Sequence, residues 1–266
     1  MRTASKVVRV TVGEMDELCP PGLLPEGIVA CLFDLDGVLT RTAEVHLAAW
    51  KEMFDAFLRD EAAGDATARR PFTEQDYTQH VDGRLRLDGV RAFLASRGIV
   101  LPEGGPEDPP TAATVHGLGA RKNAMVLDLL ERRGVGVYPD SVRYVEAVRA
   151  AGARTAVVSA SKNCAAVLAA AGLTELFELR VDGLVAQERG LRGKPAPDMF
   201  LAAASELGVE PSRAAVYEDA VAGVEAGRAG GFGWVVGVDR ADQADELGAR
   251  GADVVVGDLG ELLEAT

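Results

Sequence analysis

Short apolar runs that alternate with helix-length segments constrain the fold of this 266-residue chain more than any other feature. A continuous apolar run is typical of a strand that is buried on both faces of a parallel sheet. Such runs lie at 28–33, 155–158, 214–217, 234–238 and 253–256, and segments with helical periodicity lie between them at 144–151, 164–171 and 199–207. Because strands that alternate with helices form right-handed crossovers, the pattern predicts an α/β fold with a parallel sheet flanked by helices.

One long segment breaks this alternation. Between residues 43 and 128 no strand-like run occurs, and apolar side chains from Ala43 through Trp50 to Phe57 fall at helical spacing. We therefore expect an α-helical cap inserted directly after the first strand, so that the core is discontinuous. The expected division is an N-terminal extension at 1–27, a core formed by 28–42 and 129–266, and a helical cap at 43–128.

Composition narrows the class of protein. With 41 acidic and 28 basic residues the net charge is −13, which disfavours nucleic acid or an anionic membrane as a partner. A small anionic substrate stays possible, because a few local cations can outweigh a distant field. The apolar runs are shorter than the ~18 residues of a membrane helix, charged residues interrupt the N-terminus where a signal peptide would be apolar, and the three cysteines form no Cys-x-x-Cys pair. We expect a cytoplasmic protein that is a monomer or a weak oligomer.

Acidic pairs follow two of the predicted strands. Asp34 and Asp36 stand two residues apart, which places both carboxylates on one side of a strand end, where open α/β sheets bind ligands. Alone, such a pair is equally well explained as a turn or a helix cap. A second pair, Glu218 and Asp219, ends the run at 214–217. Four acids at neighbouring strand ends repel one another unless a cation lies among them, and hard oxygen ligands suit Mg²⁺.

A hydroxyl and a lysine complete the set. Ser159 follows the run at 155–158, and Lys194 precedes a Pro-Ala-Pro helix entry. A lone lysine is usually a solvated surface residue, but a carboxylate, a hydroxyl, a lysine and Mg²⁺ together are what phosphoryl transfer requires. The chain has neither a Walker-type phosphate loop nor a complete dinucleotide fingerprint, which argues against a nucleotide-dependent kinase or dehydrogenase.

In this order and spacing, the four elements resemble the four motifs of the haloacid dehalogenase superfamily. Further likeness to its β-phosphoglucomutase family lies in the segments 34–40, 42–46, 50–51, 121–123, 159–163, 193–198 and 218–223. The resemblance covers roughly residues 28 to 260 and leaves the N-terminal extension unexplained. It implies a Rossmann-like core with a helical cap.

The resemblance also implies roles at the core site. Asp34 is the expected nucleophile, which forms an aspartyl phosphate, and Asp36 is the expected general acid and base for the sugar hydroxyl. Ser159 and Lys194 are expected to grip the transferring phosphoryl group. The implied Mg²⁺ ligands are Asp34, the backbone carbonyl of Asp36, and Asp219. Glu218 is implied either as a further ligand or as a residue that contacts the ligands.

The resemblance also implies a bisphosphate intermediate. An intermediate with two phosphates requires a second phosphate site. Arginine suits it through its bidentate fork, and Arg86 is favoured over its neighbour Arg84. The other implied substrate-binding residues are Gly83, Lys122, Ala160, Ser161, Lys162 and Asn163, with Lys122 on the sugar ring.

Thr42 and His46 stand four residues apart and therefore share one face of the first cap helix. A lone histidine is more often structural than catalytic. The resemblance nevertheless implies that His46 links cap closure to the positioning of Asp36.

The resemblance implies conversion of β-glucose 1-phosphate to glucose 6-phosphate through a 1,6-bisphosphate, with a small phosphorylated sugar as the binding partner. The alternative is a hydrolase of the same superfamily that lets water resolve the aspartyl phosphate. A second phosphate clamp favours the mutase, because a simple phosphatase has no use for one. A non-catalytic binding protein is disfavoured because all four chemical elements are intact.

Overall fold

The computed structural model describes residues 22–60 and 69–264. Most of the expected N-terminal extension, including Cys19, lies outside the described residues. Among the described helices, each is too short or too polar to cross a lipid bilayer.

A parallel sheet forms the centre of the core. Its six strands in the described residues are β1 (Ala30–Phe33), β2 (Arg154–Val158), β3 (Leu179–Val181), β4 (Ala214–Glu218), β5 (Trp234–Val238) and β6 (Val254–Val256). They lie in the order β3-β2-β1-β4-β5-β6, and every neighbouring pair is parallel. This topology confirms the α/β, Rossmann-like prediction.

Strand β3 is the strand that the apolar runs do not reveal. It has three residues and lies at the edge of the sheet, where Arg180 at its centre is exposed and hydrogen bonds Asp182. An edge strand needs less apolar surface than a central one, so its sequence lacks the continuous apolar run.

Helices cover both faces of the sheet. Alternate residues of β1 face opposite ways: Cys31 and Phe33 pack in the apolar layer with Tyr144, whereas Ala30 and Leu32 pack in the layer with Phe200. The core helices are α5 (Pro139–Ala150), α6 (Cys164–Ala170), α7 (Gly183–Arg189), α8 (Asp198–Glu206), α9 (Val221–Ala229), α10 (Ala244–Arg250) and α11 (Glu261–Glu264).

In the described residues between β1 and α5 there are four helices, and they have an apolar core of their own. They are α1 (Thr42–Asp60), α2 (Glu74–His80), α3 (Arg86–Ser96) and α4 (Val115–Arg133). Aromatic rings fill their interior, with the rings of Phe54 and Phe93 4.1 Å apart. Threonine side chains cap α2 and α4 at Thr73 and Thr114. The sequence predicted that the cap ends at residue 128. Helix α4 passes this position without a break and ends at Arg133.

Candidate active site

The candidate site lies where three neighbouring strands end. Strand β1 pairs with β2 on one side and with β4 on the other. Asp34 therefore follows β1 between Ser159, which follows β2, and Glu218, the last residue of β4. Because parallel strands end at the same edge, residues more than 180 apart in the chain converge there.

Lys194 lies buried among the acids. Its Nζ is 2.5 Å from Asp34 Oδ1, donates to the Val158 carbonyl at 3.2 Å and contacts Glu218 Oε1. Burial works to lower the pKa of Lys194, but the carboxylates of Asp34 and Glu218 outweigh it and hold the pKa above its usual value. The lysine is therefore a permanent cation against Asp34.

Three buried carboxylates leave negative charge that one lysine does not balance. Oxygens of Asp34, Glu218 and Asp219 all lie within 4.8 Å of one another. Burial raises the pKa of Asp34 and of Asp219 well above the usual range, and neighbouring carboxylates raise both further. A divalent cation would relieve this repulsion, and oxygen ligands suit Mg²⁺, so the residues present fit the expected metal.

Gly37 makes room for one of these carboxylates. A Cβ added at Gly37 would lie 1.7 Å from Asp219 Oδ2, and its φ of +93° is one that other residues rarely adopt. The turn after Asp36 therefore requires glycine for both backbone and space.

The Asp36 carboxylate points away from this acidic group. Its Oδ1 accepts a hydrogen bond from Thr42 Oγ1, and its Oδ2 accepts one from Ser159 Oγ at 3.4 Å. His46 Nε2 lies 3.5 Å from Oδ1. The structure thus brings Thr42 and His46 of α1 to the residue expected to act as acid and base.

His46 is held from its other side by Lys122. The Lys122 Nζ lies 2.7 Å from His46 Nδ1 and 4.8 Å from the centre of the Trp50 ring. Burial, then the Lys122 charge, lowers the pKa of His46 to about 4, and burial, then the Arg86 charge, lowers the pKa of Lys122 to about 7. A neutral His46 that accepts at Nδ1 carries its proton on Nε2, which faces Asp36.

A clasp between the cap and the core lies beside this pocket. Arg86 donates to Asn123 Oδ1 at 2.9 Å, and Asn163 of the core donates to the same oxygen at 3.0 Å. Burial lowers the pKa of Arg86 to about 10, far above neutral pH. Arg84 lines the same pocket, so both expected candidates for the distal clamp face it.

Of the remaining substrate-binding candidates, three line the pocket and one does not. Ala160 and Ser161 line the pocket, and Ser161 Oγ accepts from the Asn163 backbone at 3.2 Å. Lys162 is not among the lining residues; it contacts the Gln187 side chain and faces a neighbouring groove. Gly83 also lines the pocket, and a Cβ added there would lie 3.0 Å from that of Ala220.

Comparison with known proteins supports the same interpretation. A family model for haloacid dehalogenase-like hydrolases matches residues 28–231. The β-phosphoglucomutase of Mycobacterium tuberculosis (strain CDC 1551 / Oshkosh) is 55% identical over 244 residues, which cover 90% of this chain and 93% of that protein. The chain belongs to the haloacid dehalogenase family, in its β-phosphoglucomutase branch.

More distant members of the branch agree. The Bacillus subtilis β-phosphoglucomutase is 30% identical over 234 residues, 88% of this chain and 91% of that one. A crystal structure of β-phosphoglucomutase from Clostridium difficile has a TM-score of 0.66 at 23% identity and covers 88% of this chain and 93% of that chain. At that identity the structure confirms the fold.

Three residues that lie in or beside the pocket had no role in the sequence analysis. Asn123 forms the clasp between the cap and the core. It lies in the segment 121–123, which carries part of the family resemblance, but no function was predicted for it. Tyr77 and Asp82 line the pocket together with Asp36 and Asp219, and they hydrogen bond each other through their side chains. Burial, followed by repulsion from Glu218, raises the pKa of Asp82 to about 7. The position of Asp82 beside Gly83 was a signal that could have found it, whereas Tyr77 resembles an ordinary core tyrosine.

Proposed function

We propose that this protein is a Mg²⁺-dependent β-phosphoglucomutase, which converts β-glucose 1-phosphate to glucose 6-phosphate through the 1,6-bisphosphate. The observation that carries the proposal is that cations lie at two separate places around the site. Lys194 lies at Asp34, and Arg86 lies at the clasp with Asn123. A bisphosphate has two phosphates to hold, and the 55% identity to the mycobacterial enzyme points to the same activity.

Mg²⁺ would be held by Asp34 and Asp219, with the Asp36 backbone carbonyl and Glu218 completing or supporting the set. When bound, it neutralises and orients the transferring phosphoryl group. Lys194 lowers the pKa of Asp34 against the larger effect of burial, and it adds a second positive charge at the phosphoryl oxygens.

Asp34 then acts as the nucleophile. One of its oxygens forms a bond to phosphorus while the bond from phosphorus to the sugar oxygen breaks, which leaves an aspartyl phosphate. Asp36 donates a proton to the departing sugar oxygen and takes the proton from the accepting hydroxyl in the return step. Thr42 and the Nε2–H of His46 orient the Asp36 carboxylate for both steps.

The cap must move for substrate to enter. The cavity at the site has a volume of about 50 Å³, far below the ~300 Å³ at which ligand pockets begin. We infer that the cap opens to admit the sugar phosphate and closes over it. Closure excludes water, which favours transfer to a sugar hydroxyl over hydrolysis. A hydrolase of the same family, the alternative, would gain nothing from the clasp at Arg86.

We also infer a cytoplasmic location. Cys164 is a free, buried thiol in the described residues, which is consistent with a reducing compartment.

The test is to incubate the full chain with β-glucose 1-phosphate, Mg²⁺ and a trace of glucose 1,6-bisphosphate, while glucose 6-phosphate and free phosphate are measured separately. We expect glucose 6-phosphate to account for nearly all the substrate consumed, and EDTA or Asp34→Asn to abolish turnover. Release of free phosphate without glucose 6-phosphate would support the hydrolase and contradict the mutase.

A further inference from the structure

Tyr77 and Asp82 form a polar corner of the pocket to which the proposed reaction gives no role. Tyr77 lies on α2 and is 9% exposed, and Asp82 follows the end of that helix. Both side chains line the pocket together with Asp36 and Asp219. We call this pair the Tyr77–Asp82 corner.

The corner is fixed from the cap and from the core. The Tyr77 hydroxyl and the Gly83 backbone N–H both hydrogen bond the Asp82 carboxylate. Gly83 has a φ of +69°, and its Cα packs so closely on Ala220 that an added Cβ would lie 3.0 Å away. Ala220 directly follows Asp219, so contact between cap and core places the Asp82 side chain at the candidate metal site's edge of the pocket.

The chemistry of the corner excludes two kinds of ligand. Glu218 and Asp36 act on Asp82 as like charges, so these three carboxylates would repel a phosphate group bound here. The acidic group that fits a metal ion consists of Asp34, Glu218 and Asp219 and does not include Asp82. An ionised carboxylate has about four acceptor positions, of which Tyr77 and Gly83 occupy two. A neutral ligand with O–H donors matches the positions that remain.

Other residues that line the pocket have the complementary charge. These residues are Arg86 and Lys122, and the Trp50 ring lies beside Lys122. A phosphorylated sugar matches both sets of residues. Its anionic phosphates match the cations, and the neutral hydroxyl donors of its ring match the Asp82 carboxylate. A sugar whose phosphates bind at Lys194 and Arg86 would carry its ring in the pocket that the corner lines.

We propose that Asp82, oriented by Tyr77, accepts hydrogen bonds from ring hydroxyls of the bound sugar phosphate and thereby selects their configuration. This inference rests on the proposed function and deepens it, because it names the residue that distinguishes one hexose phosphate from another.

The test compares Asp82→Ala, Asp82→Asn and Tyr77→Phe with a matched control, Asp88→Asn. Asp88 is also a cap acid, but it is about half exposed and pairs with Arg91. The substrates are β-glucose 1-phosphate and its 2-deoxy, 3-deoxy and 4-deoxy analogues. Phosphorylation of the enzyme by acetyl phosphate, followed by intact-protein mass spectrometry, reports the core chemistry without any sugar hydroxyl.

Asp82→Ala is expected to lower kcat/KM for β-glucose 1-phosphate by about 10- to 100-fold, the range for a hydrogen bond to a charged group. Asp82→Asn and Tyr77→Phe are expected to lower it by smaller factors, and Asp88→Asn by less than about twofold. For the deoxy analogue that lacks the hydroxyl bound by Asp82, wild type and Asp82→Ala are expected to agree within about threefold, because the interaction is already missing. Acetyl phosphate should phosphorylate all variants alike.

Two results would overturn the inference: an unchanged kcat/KM in Asp82→Ala, or an equal loss on all three deoxy analogues and on acetyl phosphate. A wild-type protein that makes no glucose 6-phosphate contradicts the proposed mutase instead. In that case the same variants and analogues are compared by release of free phosphate, with the same criteria for Asp82.

Discussion

The ammonium nitrogen of Lys122 lies 2.7 Å from Nδ1 of His46, inside the cap and away from bulk water. Burial lowers the pKa of Lys122 to about 7. In the unfolded chain an ordinary lysine keeps its proton to about pH 10.4. Between pH 7 and pH 10 the unfolded state therefore binds more protons than the folded state, so stability from this group increases as pH rises.

Lys122→Met is therefore expected to stabilise the protein while it impairs turnover. The gain should be a few kcal/mol at pH 6.5, from about 1.4 kcal/mol per pKa unit, and should shrink towards pH 9.5 as the wild-type penalty disappears. Urea unfolding at both pH values measures it. Lys51→Met is the control, since Lys51 is half-exposed and paired with Asp55, and it should give no gain. A stability gain equal at both pH values would contradict the assignment.

Gly37→Ala is expected to lower kcat/KM by about 100-fold or more, because the new Cβ displaces Asp219 and a shift of about 1 Å at a reacting centre has that effect. Gly134→Ala is the matched control: it also has a positive φ, +70°, but nothing lies within 4 Å of its added Cβ. Both substitutions incur the backbone strain of about 1 kcal/mol, and only Gly37→Ala should lose Mg²⁺ affinity, measured by titrating activity with Mg²⁺. Equal losses in both would refute the clash as the cause.

Asn123→Ala is expected to raise KM about 10-fold with a smaller effect on kcat, because it leaves the donors of Arg86 and Asn163 without their shared acceptor. Asn123→Asp keeps an oxygen at that position and should recover most of the affinity. Steady-state kinetics on β-glucose 1-phosphate measure both. The clasp has no part in substrate binding if the alanine and aspartate variants lose affinity equally.

Arg240 is expected to stabilise the turn after Asp36, which contains Gly37. It donates to the Gly37 carbonyl at 2.9 Å and to the Gly257 carbonyl at 2.7 Å, and its guanidinium lies 3.7 Å from the centre of the Tyr138 ring. Arg240→Ala should lower the free energy of unfolding by about 2 kcal/mol and reduce kcat. Arg143→Ala, which breaks an exposed pair with Asp140, should change stability by less than about 0.5 kcal/mol. Denaturant unfolding of the two variants checks the contrast.

The core sheet could be predicted because burial on both faces leaves an unbroken apolar run, as in β1 and β4. The acids of the site could be predicted for the same reason: Asp34 and Glu218 directly end such runs, and parallel strands end together. Strand β3 could not, because its exposed Arg180 interrupts the pattern.

Contacts between the cap and the core could not be predicted, because they depend on how two parts with separate apolar cores meet. Asn123 and Asn163 are 40 residues apart and share no pattern, yet their side chains lie 3.0 Å apart. Asp82 reaches the catalytic pocket only because Gly83 packs on Ala220. The orientation of Lys162 towards Gln187 is likewise set by packing and not by sequence spacing.

The fate of the phosphoryl group on Asp34 tests the account most directly. The protein is phosphorylated with ³²P-labelled glucose 1,6-bisphosphate, the labelled residue is identified by peptide mass spectrometry, and the phosphoenzyme is then mixed with β-glucose 1-phosphate. The account predicts label on Asp34 that moves to the sugar bisphosphate faster than it appears as free phosphate. Label on another residue, or label released as free phosphate at the same rate with and without the sugar, would contradict it.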